Sequence, residues 1–139
     1  MFLSGHSLFF PVLAQVGLTI VIYVALAVAK KRAAHAHAVD RERAALHADA
    51  WPESVLKINN NLRNQFETPV LFYVVCFVLV AVGATGWLVQ VLAWLFVASR
   101  AVHAWIHTRS NFVPARRRVF MGGVLIVLVL WVIALTRLL

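Results

Sequence analysis

Lys57, Asn60, Asn64 and Glu67 follow one another at steps of three, four and three residues. On a helix that spacing sets all four along one face, a stripe of one cation, two amides and one carboxylate. Arg100, His103 and His107 repeat the three-and-four spacing, and Arg116 opens an arginine run nine residues after His107. Such a set offers several cations and amide groups against few carboxylates, so it favours a small anionic ligand. Arginine's fixed fork of donors suits a carboxylate in particular.

The elements that must position these residues are membrane spans. Apolar residues make up 63% of the 139-residue chain and charged residues only 13%, a balance foreign to soluble domains. Residues 8–29, 66–87, 88–107 and 119–136 are predominantly apolar, each long enough to cross roughly 30 Å of hydrocarbon as a helix. The expected fold is an all-α integral membrane protein, a single four-helix bundle over residues 1–139, with loops at 30–54 and 108–118. The first span has no basic residue before it and "KKR" directly after it, which fits a retained span rather than a cleaved signal.

Charge gives the topology. Lys30, Lys31, Arg32, Arg41, Arg43, Lys57 and Arg63 fall between spans one and two, and Arg109, Arg116, Arg117 and Arg118 between spans three and four. The N-terminal tail and the "GATG" turn carry no Lys or Arg. The positive-inside rule then puts both basic loops in the cytoplasm and both termini on the other side, in a bacterial inner membrane or its equivalent. The net charge of +8 is accounted for by anionic headgroups, and no nucleic-acid partner is expected.

Helix two starts on the cytoplasmic side and helix three ends there, so the two stripes share one membrane level. Ionisable groups beside a span turn toward a bundle interior or a wet cavity. A polar pocket open to the cytoplasm is expected, with apolar walls that admit a lipophilic molecule from the bilayer. That pairing of partners points to conjugation or reduction chemistry. The competing expectation is a polar lock, with Glu67 paired to Arg100 and Asn64 bonded across helices.

Other features carry less chemistry. His35, His37 and His47 have no cysteine near them and no compact ligand spacing, so no metal is expected. The single Cys76 lies in an apolar run and reads as packing. Pro52 followed by Glu53 marks a helix start well before the second span, and Pro69 is expected to kink that helix or free a carbonyl.

These residues resemble the MAPEG family, the membrane-associated proteins in eicosanoid and glutathione metabolism. "KINNNLRNQFE" is similar to the family's Asn-x-x-Glu pattern on helix two through Asn64 and Glu67, with Arg63 and Asn64 resembling the Arg-Asn pair that opens it. "RAVHAWIHTRSNFVPAR" resembles the Arg-x-x-His-x-x-x-Tyr stretch of the microsomal glutathione transferase and prostaglandin E synthase members, followed nine residues later by arginine. Arg100, His103 and Arg116 fall on those positions. Asn60 stands where the family commonly has an arginine, and His107 where it has the tyrosine.

The resemblance implies a homotrimer of four-helix protomers that binds glutathione between protomers on the cytosolic side. It implies no metal, glutathione as co-substrate, and activation of the thiol as thiolate by nearby positive charge. Arg116 and His107 are then the catalytic candidates. Lys57, Arg63, Asn64, Glu67, Arg100, His103 and Arg109 are the glutathione-binding candidates. The products expected are conjugated electrophiles or reduced lipid peroxides, and the alternative is a non-catalytic ligand-binding or scaffold protein on the same bundle.

Overall fold

The computed structural model describes residues 5–139, and residues 1–4 of the expected N-terminal tail lie outside them. A 3-10 turn at Gly5–Leu8 leads into α1 (Phe9–His35); α2 (Glu53–Asn64), α3 (Thr68–Ala81), α4 (Trp87–Thr108) and α5 (Val113–Leu138) follow. No strand occurs among the described residues. With α2 and α3 taken together, four helical stretches are long and apolar enough to cross a membrane, at 6–35, 53–81, 87–108 and 113–138. The shortest has 22 residues, about 33 Å at 1.5 Å per residue.

Proline explains where the helices start. Pro11, Pro52, Pro69 and Pro114 all fall in or just before a first turn, where the missing N–H has no intrahelical acceptor to lose. Pro69 has the largest consequence. A continuous helix would need its N–H for the Gln65 carbonyl, and the chain instead breaks at 65–67, with Glu67 at φ −101°, ψ −102°. The break is a full interruption rather than a bend.

The turn between α3 and α4 closes differently. Gly83 takes φ +69°, and the Ala84 N–H returns to the Leu79 carbonyl at 2.8 Å while the Gly83 N–H reaches Val80 at 3.1 Å. This left-handed glycine cap satisfies the last carbonyls of α3 and reverses the chain in a few residues.

Two apolar clusters fill the interior. Toward the α3–α4 turn, Leu8, Phe72, Cys76, Leu79, Ala93, Phe96 and Leu130 pack together, with the Phe72 and Phe96 rings stacked at 4.2 Å. Toward the other end, Ile22, Leu26, Val55, Leu62 and Ala104 form the second cluster. Gly123 lets α5 approach α4 closely, since a Cβ there would stand 3.0 Å from Ser99 Oγ. Apolar side chains such as Phe10, Val21, Leu71, Leu125 and Trp131 remain exposed along the outer faces, as helices solvated by lipid require.

The loop after α1 is held by charge. Arg43 donates to Asp49 at 2.8 Å, a hydrogen bond that holds the exposed Asp49 carboxyl below its ordinary pKa. Lys30 lies 5.0 Å from the Trp51 ring centroid. Among the described residues no group of three His, Cys, Asp or Glu side chains could hold a metal.

Near the junction of the two clusters, Gln15 of α1 donates to Gln65 in the break at 3.0 Å, and Gln65 lies 3.4 Å from Asn61. All three are at most 1% exposed. Interhelical amide bonds of this kind contribute about 0.6–1.7 kcal/mol in a membrane bundle. Replacing Gln15 by leucine should therefore lower unfolding free energy in mixed micelles by about 1 kcal/mol. The Gln15→Leu/Gln65→Leu double variant should recover part of that loss, because it removes both stranded partners. Additive losses in the double variant would show that the amides are not coupled.

Candidate functional site

α4 presents Arg100, His103 and His107 on one face, and packing against α5 and the α2–α3 break buries them to 1%, 2% and 4% exposure. Arg100 is the anchor. The break leaves the Asn64 carbonyl without its helical donor, and Arg100 Nη2 supplies one at 3.1 Å. The same guanidinium lies 5.6 Å from the Phe120 ring centroid on α5, so one side chain ties three elements together.

Asn64 works with both ends. Its carbonyl accepts from Arg100, and its side-chain nitrogen lies 3.4 Å from His107 Nδ1. With the amide donating, the ring proton sits on Nε2. His103 meets the His107 ring edge-on at 5.5 Å and Phe120 at 5.7 Å.

A cleft of about 260 Å³ opens over this cluster, lined by Asn64, Glu67, His103, Val113, Arg116, Arg117 and Phe120. Arg116 is aimed by the α4–α5 turn: Asn111, at φ +52°, accepts a short hydrogen bond from its Nη1. The two arginines outnumber the one carboxylate in the wall, so the cleft is electropositive, while Val113 and Phe120 give it an apolar side. Beneath it, Arg100 Nε and Nη1 and His103 Nδ1 are buried without a hydrogen-bond partner. Buried donors left open in this way are places where a ligand or water completes the structure.

The residues singled out by sequence divide into two groups. Asn64, Glu67, His103 and Arg116 line the cleft, and Arg100 and His107 adjoin it through Asn64. Lys57, Arg63 and Arg109 do not line it. Lys57 pairs with Glu53 at 2.9 Å, Arg63 is exposed, and Arg109 stacks on Trp105 with its guanidinium 3.7 Å from the ring centroid. Asn60 is likewise exposed. The Glu67–Arg100 ion pair expected of a polar lock is not formed, because Arg100 is turned to the freed carbonyl.

Sequence reasoning missed the α5 wall. Val113, Arg117 and Phe120 share a face with Arg116 at i, i+3, i+4 and i+7, a spacing visible in the sequence once Arg116 is chosen as a reference. Asn111 gave no such signal, since its role depends on the shape of the turn.

The family model for the MAPEG family matches residues 8–136. No match was found among curated proteins or among solved structures. The matched stretch takes in every residue of the cleft and all four membrane-length helices except the first two residues of the first and the last two of the fourth, and the chain belongs to the MAPEG family.

Proposed function

We propose that this protein is a glutathione-dependent membrane enzyme acting on lipophilic electrophiles or lipid peroxides. Membership of its family supports a membrane role in glutathione or eicosanoid metabolism, and the family generally uses glutathione. The observation that carries the finer reading is the convergence of Asn64, Glu67, His103 and Arg116 on one electropositive cleft above unpartnered donors of Arg100. Those residue types fit the tripeptide: Glu67 for its amino group, Asn64, His103 and Arg100 for its carboxylates and amides.

Arg116 is the candidate for the thiol. A cation beside sulfur stabilises thiolate over thiol, and a free thiol with a pKa of about 8.5 is mostly protonated at neutral pH. In conjugation the thiolate sulfur bonds the electrophilic carbon, and the displaced pair leaves with the leaving group or takes a proton. In peroxide reduction the thiolate breaks the O–O bond and, with one proton taken up from solvent, gives an alcohol and a sulfenic acid, the protonated sulfenate. A second glutathione closes that sulfenate to a disulfide and releases water. His107 Nε2–H is the candidate donor where the family has a tyrosine hydroxyl.

A homotrimer is part of the proposal, and Lys57, Arg63 and Arg109 lie off the cleft. So is an orientation with the cleft facing the cytoplasm and the termini opposite. A second reading is a non-catalytic binding protein, favoured by His107 standing where the family has its tyrosine.

Arg116→Ala should lower kcat/KM toward chlorodinitrobenzene by about a hundredfold, the scale of one preorganised electrostatic group. Losing the cation raises the thiol pKa, so the variant's activity should rise with pH toward about 8.5 where the parent has levelled off. Unchanged turnover in the variant would remove Arg116 from catalysis, and glutathione binding without turnover in the parent would establish the second reading.

Glu67→Gln should weaken glutathione binding in calorimetry by about tenfold, as expected for a lost charge-assisted hydrogen bond. N-acetylglutathione, which lacks the ammonium, should bind parent and variant alike. Equal weakening of both ligands would place Glu67 elsewhere on the tripeptide.

A further inference from the structure

The end of the bundle opposite the Asn64–Arg116 cleft holds a larger cavity of about 640 Å³, between the α3–α4 turn and the last turns of α5. Thr85, Gly86 and Trp87 line one side of it, and Ile133, Thr136 and Arg137 the other. None of the glutathione candidates reaches this end.

Three independent features there favour an anion. Gly86 is the N-cap of α4 and no side chain caps that end, so the first N–H groups of a 22-residue helix face the cavity region with the positive end of its dipole. Thr85 is 9% exposed, lines the cavity, and makes no side-chain hydrogen bond among the described residues. A threonine hydroxyl can both donate to and accept from a ligand that enters the cavity.

Arg137 supplies the charge. All five acidic side chains of the protein fall between Asp40 and Glu67, on the loop and helices of the far end. Arg137 therefore has no acidic side chain in its half of the bundle and makes no ion pair among the described residues. It is also the only Lys or Arg beyond Arg118, and the α3–α4 turn has none. A lone cation at a cavity that also holds a helix N-terminus and a threonine hydroxyl is the donor set of a phosphate site.

Trp87 fixes the level. It is 71% exposed at the first position of α4, the place at which tryptophan marks the boundary between hydrocarbon and headgroups. A phosphate held between the α4 N-terminus and Arg137 would sit in the headgroup layer, with its acyl chains free to run along the exposed faces of α4 and α5. We propose that this cavity binds a phosphate group, supplied by the headgroup of a phospholipid in the leaflet opposite the thiol cleft. The site is independent of the glutathione reading and stands or falls by itself.

The test is thermal unfolding of the full chain in uncharged detergent, titrated with phosphatidylglycerol, with diacylglycerol of the same chains, and with inorganic phosphate. Phosphatidylglycerol should raise Tm saturably and diacylglycerol should not. Arg137→Gln should weaken the apparent affinity about fivefold, the usual worth of one cation near a headgroup. Thr85→Val, nearly isosteric, should weaken it too, while Arg41→Gln at the far end should respond like the parent. A saturable, Arg137-dependent shift with inorganic phosphate would keep the phosphate site and overturn the lipid as its source. An Arg137→Gln variant that responds like the parent, or diacylglycerol that acts as well as the phospholipid, would overturn the proposal.

Discussion

Arg100 bonded to the Asn64 carbonyl is the contact on which the polar half of this protein rests. A proline in the second span removes one N–H, the helix parts at 65–67, and a carbonyl is freed in surroundings with little water. An unsatisfied carbonyl at that depth is costly, and so is a buried arginine without a partner. Each defect offsets the other. The outcome is a guanidinium fixed beneath the cleft, with Asn64 turned so that its amide meets His107.

The same break separates two kinds of interior. On one side, aromatic and aliphatic side chains interlock around the Phe72–Phe96 stack with no charged group among them. On the other, rings and a guanidinium lie beside the second aliphatic cluster of Ile22, Leu26, Val55 and Leu62, and Gln15, Gln65 and Asn61 mark the seam. This division follows from bilayer physics, since only protein-lined interior can hold charge at that level.

Much of this was legible from periodicity. Asn64 with Glu67, and Arg100 with His103 and His107, stand out because a charged or amide group on an apolar helix is conspicuous and three- and four-residue steps define a face. The four membrane-length helices followed from length and hydropathy alone. Phe120 and Val113 were silent for the converse reason: an apolar residue on an apolar helix gives no contrast. Gln15 was equally hard to place, because its partner Gln65 is 50 residues away and nothing local links them. The Glu67–Arg100 pair was a reasonable reading of opposite charges at one level. It failed because periodicity does not reveal that a backbone carbonyl will be freed one turn earlier and will compete for the guanidinium.

Cys76 has one more implication. It is the protein's single cysteine, it is 0% exposed, and it sits among Phe72, Leu79 and Phe96 in the tightest part of the apolar half. A catalyst that meets alkylating agents and peroxides risks being consumed by them through its own sulfur. Here that sulfur is sealed away, and under the proposed function the reactive thiol would arrive with each turnover and depart with the product. The scaffold would then remain chemically unchanged while its disposable partner absorbed the damage.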